Sequence, residues 1–87
     1  MVYKYQPKGI CPRGISVELE GDIIRRVHFD GGCAGNLSGI AKLVEGMRAS
    51  DVIQKFKGTR CGHKGTSCPD QLSLALEEAL EAALRNA

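Results

Sequence analysis

The sequence predicts an α+β fold, a small antiparallel sheet followed by helices packed on one of its faces, and three patterns carry that expectation. The first third alternates apolar and polar residues as strands do, the last two thirds repeat apolar residues every three or four positions as helices do, and glycine or proline marks the junctions. No internal repeat or low-complexity tract interrupts the chain, so residues 1–87 read as one domain. A chain this short removes only roughly 60–65 % of its unfolded surface from water. With two tyrosines, two phenylalanines and no tryptophan, its core has to come from Leu, Ile, Val and Ala, and a metal or cross-link would add useful stability.

Residues 2–5 fit an edge strand that stops before Pro7, because proline offers no amide to a sheet ladder. Ile15-Ser16-Val17-Glu18-Leu19-Glu20 alternates strictly, Gly21-Asp22 supplies turn chemistry, and Ile23 to Phe29 resumes the alternation, which describes a hairpin. Pairing Leu19 with Ile23 would bury Ile15, Val17, Ile23, Val27 and Phe29 on one face, and would bring Arg25 to that face as well. Asn36 is the expected cap of a helix carrying Leu37, Ile40, Ala41, Val44 and Met47 and ending near Gly46. Ser50 is the expected cap of a shorter helix carrying Val52, Ile53 and Phe56 and stopped by Gly58, and residues 58–67 follow as a loop. In the last helix Cys68 takes the cap and Pro69 the first position. Its apolar stripe runs through Leu72, Leu76, Ala79, Leu80, Ala83 and Leu84 to about Arg85 and reads as core.

Twelve basic and ten acidic side chains leave a net charge of +2, too small for the footprint of a dedicated nucleic-acid binder. No apolar run approaches the roughly 20 residues that a membrane span needs. The opening Met-Val-Tyr-Lys-Tyr-Gln-Pro-Lys lacks the apolar stretch of a secretory signal, so a cytoplasmic protein is expected. In a reducing compartment four thiols point to metal or redox chemistry before structural disulfides.

Buried structural cysteines tend to occupy the apolar positions of strands and helices, whereas Cys11, Cys33, Cys61 and Cys68 all stand in turn-forming sequence. Their neighbours are Ile10 and Pro12, Gly32 and Ala34, Arg60 and Gly62, and Ser67 and Pro69. Glycine and proline let the backbone bend around an ion and free its amides to orient the sulfurs. Four sulfurs match a closed tetrahedral site, for which zinc is the first expectation. The intervals of 21, 27 and 6 intervening residues include no Cys-x-x-Cys pair, so the fold has to assemble the site. Cys33 and Cys68 also stand at expected helix starts, where the helix dipole favours the thiolate. That leaves two alternatives to a metal: redox-active thiols, with Cys61 and Cys68 alternating between dithiol and disulfide, and cysteines that are inert or disulfide-bonded.

His63, two residues past Cys61, is a candidate to replace one sulfur, although a loop histidine beside Lys64 is more often solvated. His28 falls in a strand pattern and reads as structural. Asp30 and Asp70 flank cysteines as candidate supporting acceptors or labile ligands, and turn and cap chemistry explains both without a metal. Lys55, Lys57, Arg60, His63 and Lys64 form a basic stretch that could hold a phosphate or simply offset the charge of a four-thiolate zinc site.

Gly31-Gly32-Cys33-Ala34-Gly35-Asn36-Leu37 together with Thr66-Ser67-Cys68-Pro69-Asp70-Gln71-Leu72 resembles the TSCPD-domain family, over nearly the whole chain. The resemblance extends to small four-cysteine members and to the C-terminal domain of adenosylcobalamin-dependent ribonucleotide reductases. It implies ribonucleoside-diphosphate reductase activity, nucleotide binding and DNA precursor synthesis. An 87-residue domain cannot house the large barrel and radical cofactor of such an enzyme, so no residue is expected to be catalytic. The implied role is accessory to, or derived from, a ribonucleotide reductase, with that enzyme or another redox protein as partner.

A second likeness is to NifU-like iron-sulfur scaffold proteins, in which Cys33, Cys61 and Cys68 match the three scaffold cysteines. It implies an iron-sulfur cluster as the alternative cofactor. Gly35 stands where scaffolds carry an aspartate, and Cys11 is additional; both departures favour a permanent site over cluster transfer. The edge strand leaves a route to a homodimer.

Overall fold

The computed structural model describes residues 1–10, 12–31, 34–60 and 65–85, and within them the chain forms three strands and then three helices. Strands β1 (Val2–Tyr5), β2 (Gly14–Glu20) and β3 (Ile23–Asp30) form an antiparallel sheet in the order β1-β2-β3. Alternation decides its faces: Ile15, Val17 and Leu19 are buried while Ser16 and Glu18 between them stay accessible. β1 alternates in step, with Tyr3 and Tyr5 half-buried and Val2 and Lys4 exposed, and it ends before Pro7 as expected.

The hairpin register differs from the expected one. Leu19 lies opposite Ile24, Glu18 lies opposite Arg26, and Arg25 is the extra residue of a β-bulge. The bulge lets Ile24 and Val27, three positions apart, share the buried face, leaves Ile23 half-buried, and turns Arg25 outward to pair with Glu20. A continuous two-residue alternation would have put a guanidinium in the core, and one inserted residue avoids that cost.

Helices α1 (Ala34–Val44), α2 (Ala49–Phe56) and α3 (Cys68–Arg85) cover the apolar face. α1 packs on β3, α3 lies over β2 and β1, and α2 packs on α3. The shared core joins Ile15, Val17 and Ile24 to Leu37 and Val44 of α1, Val52 of α2, and Leu72 and Leu76 of α3. Leu72 and Leu76 are fully buried, each worth about 2 kcal/mol from exclusion of water alone.

All three helices begin somewhere other than the expected cap. α1 starts at Ala34, which puts Asn36 inside its first turn; Gly35 and Asn36 are exposed there, where water can satisfy unpaired amides. α2 starts at Ala49 after an extended Arg48, and Ser50 does not cap it. Instead the Ala49 amide donates to the Asp22 carbonyl at 2.8 Å, so docking on the hairpin turn decides where α2 begins. Gly46 and Gly58, at φ of +85° and +86°, follow α1 and α2 as expected.

α3 is capped by Ser67, whose Oγ accepts the Asp70 amide at 3.2 Å; Cys68 and Pro69 are thus the first and second helical residues. The helix ends at Arg85 as expected, but Leu84 is 79 % exposed. The last turn lies beside the hairpin tip at Gly21 and Asp22, at the end of the sheet, so the apolar stripe outlasts the surface it packs on. Among the described residues no helix is long and apolar enough to cross a membrane.

Candidate metal centre

Cys68 opens α3, half-buried, in a segment whose Thr66, Ser67, Asp70 and Gln71 side chains are all hydrogen-bonded. Buried Ser67 donates from its hydroxyl to the Thr59 carbonyl at 2.6 Å while capping the helix through the Asp70 amide. The Asp70 carboxylate accepts the Gly58 amide at 2.7 Å on one oxygen and the Thr66 hydroxyl on the other. Gln71, only 5 % exposed, donates from its amide nitrogen to Thr66 Oγ1 at 2.9 Å. Its carbonyl oxygen accepts the Lys8 amide at 3.0 Å and the Tyr5 hydroxyl at 3.2 Å.

These bonds join distant stretches of chain. Ser67 and Asp70 hold Gly58 and Thr59, which precede Cys61. Gln71 holds Lys8, which precedes Cys11. Gly9 lies so close to Thr66 that a Cβ built on it would come within 3.0 Å of Thr66 Cγ2, and its φ of +73° lies in the left-handed region that favours glycine. Beyond Cys11, the Arg13 amide donates to the Asp30 carbonyl at 2.7 Å, and the Gln6 side-chain amide donates to the Arg13 carbonyl at 3.1 Å. That ties the chain after Cys11 to the end of β3, just before Cys33. Gly9→Ala is therefore expected to cost about 2 kcal/mol, from an unfavourable backbone together with a forced contact, read as a lower denaturant midpoint.

Asp70 sits below the usual carboxylate range, first because the Thr66 hydroxyl and then because the Gly58 amide donate to its charged form, with Lys57 and Arg60 adding to the effect. Its contribution to stability is present above the ordinary carboxylate pKa and is lost as pH falls through the lower folded value. The Tyr5 phenol is raised, mainly by burial and then by the charges of Glu78 and Asp70, and Tyr3 is raised chiefly by its hydrogen bond to Glu78. Tyr5 thus remains a donor to Gln71 at neutral pH.

Of the expected ligands, Cys11, Cys33, Cys61 and the candidate His63 lie outside the described residues. Among the described residues no three His, Cys, Asp or Glu side chains group closely enough to hold a metal. Both oxygens of Asp70 are occupied by chain donors, so it acts as a clasp between two loops, and Asp30 offers its backbone carbonyl to Arg13. His28 is on β3 as expected but exposed, on the open face of the sheet. In the basic stretch Lys57 pairs with Glu77 at 3.0 Å, Lys55 and Arg60 are exposed, and Lys64 lies outside the described residues.

Sequence reasoning missed Gln71, Thr66 and Ser67. Ser67-x-x-Asp70 is the spacing of a capping box and was the available signal. Asp70, however, turns its carboxylate to Thr66 and Gly58, outside that motif.

Comparison with known protein families matches the TSCPD domain over residues 1–80. No curated protein matches the chain, and no solved structure does.

Proposed function

The chain belongs to the TSCPD-domain family, and from that premise we propose that Cys11, Cys33, Cys61 and Cys68 hold one zinc ion as thiolates in a structural or interaction domain. The observation that carries this reading is the hydrogen-bond clasp just described. Gly9, Gly31 and Thr59 each stand two residues from a cysteine, and Ser67 stands next to one. Gly9 packs close beside Thr66, leaving no room for a Cβ, and hydrogen bonds link Thr59 to Ser67 and Arg13 to Asp30, the neighbour of Gly31. Two residues of extended chain reach about 7 Å, so links at these positions support a reading in which the four sulfurs share one centre. The donor set fits the ion: four sulfurs satisfy tetrahedral zinc, at about 2.3 Å per bond, and leave no position open for chemistry.

The family also supports a role accessory to or derived from ribonucleotide reductase, with that enzyme or another redox protein as partner. A closed four-thiolate site would stabilise a docking surface and perform no reaction of its own.

Protein purified without chelator is expected to contain about one equivalent of zinc, and each single Cys→Ser variant less than about a tenth of that. Metal-free protein of undiminished stability would overturn the reading. So would a Cys61–Cys68 disulfide that forms under mild oxidation of the native protein, or visible charge-transfer absorption after anaerobic reconstitution with iron and sulfide.

A further inference from the structure

The face of the sheet away from the helices carries a second arrangement of charges, which meets the cysteine clasp only through the backbone of Arg13. Cross-strand register puts Lys4, Ser16 and His28 in one row over β1, β2 and β3. Arg13 joins them at the edge of a shallow depression of about 430 Å³. Lys4, Arg13 and His28 are exposed, Ser16 is half-buried, and among the described residues none of the four makes a side-chain hydrogen bond or ion pair. In the neighbouring row Glu18 faces Arg26, so opposite charges stand in register there. The Lys4 row contains no carboxylate, and Asp30, at the rim beside Gly14, is the one acid among the described lining residues.

We infer that this depression binds the phosphate group of a small molecule, centred over Ser16. Adjacent strands lie about 4.8 Å apart, so Lys4 and His28 flank Ser16 at a spacing that admits one tetrahedral anion. The donors are an ammonium, an imidazole N–H, a hydroxyl and the planar fork of Arg13, more than the two oxygens of a carboxylate can use and a match for the oxygens of a phosphate. The Tyr3 and Tyr5 hydroxyls bond to α3 on the helix side, which leaves His28 as the one aromatic ring turned to this face, short of the series of stacking rings that a single-stranded nucleic acid uses.

Titration of the whole chain, as purified, with inorganic phosphate tests the inference by amide chemical shifts, with acetate at matched ionic strength as the comparison. Saturable shifts confined to the Lys4, Ser16 and His28 row are expected with phosphate and not with acetate. Lys4→Gln combined with Arg13→Gln should weaken binding at least about tenfold, the effect of losing one or two charge-assisted bonds. Lys42→Gln combined with Arg48→Gln removes the same charge elsewhere on the surface and should change binding less than about twofold. An unchanged unfolding midpoint certifies each variant, and if the Lys4/Arg13 pair unfolds, Lys4→Gln alone serves in its place. Absence of saturation, equal weakening by the two pairs, equal response to acetate, or tighter binding of a short single-stranded oligonucleotide would each overturn the inference. The metal content of the same sample, measured separately, keeps this outcome distinct from that of the zinc reading.

Discussion

Stripping the metal with a strong chelator is expected to abolish the cooperative unfolding transition. Small domains hold a net stability of roughly 5–15 kcal/mol, and a structural zinc site alone supplies on the order of 10 kcal/mol of linked folding energy. The described core has fifteen buried apolar side chains, four of them alanine and one, Phe29, aromatic, so a contribution of that size is comparable to the whole net stability of a domain this small. Circular dichroism through a denaturant series is the measurement. The metal-bound protein should give one sharp transition, the stripped protein a broad, shallow one, and added zinc should restore the first. A sharp transition at an unchanged midpoint after complete stripping would show that the ion, where bound, has no structural role.

Gln71→Ala is expected to be the most damaging single substitution outside the cysteines and the aliphatic core. Its side chain makes three hydrogen bonds in a buried setting, to Lys8, Tyr5 and Thr66. Truncation leaves the Lys8 amide and the Tyr5 hydroxyl short of an acceptor, and unsatisfied groups of this kind cost about 1–3 kcal/mol each, so a loss near 3 kcal/mol follows. The denaturant midpoint should fall at unchanged slope. Because Lys8 precedes Cys11, zinc affinity should fall in the same variant. A change below about 0.5 kcal/mol, within the range of an ordinary surface substitution, would show that the clasp contributes little.

Patterning made the elements legible and left their ends and their connections open. The edge strand, the hairpin and all three helices follow from residue periodicity, since burial on one face imposes a repeat of two or 3.6. The bulge at Arg25 escaped because a local reading keeps alternation strict, and only the cost of burying a guanidinium against the helices breaks it. Ala49 is placed by its bond to Asp22, 27 positions earlier, so no local cap at Ser50 could reveal where α2 begins. The same holds for the clasp. Gln71 bonds to Tyr5 and Lys8 across 66 and 63 positions, separations at which sequence spacing carries no signal. What sequence did offer at the site was residue type: cysteines in turns, and a serine three positions before an aspartate at a helix start. The structure adds a physical reason for the motif. Thr66, Ser67 and Asp70 are joined to each other and to the Cys61 loop, Gln71 next to them holds the Cys11 loop, and Cys68 stands among them.

X-ray absorption at the zinc edge of freshly purified protein tests the central claim most directly. The expected spectrum is a single shell of four sulfurs at about 2.3 Å. A shell of nitrogen or oxygen near 2.0 Å, fewer than four sulfurs, or no bound zinc would contradict it.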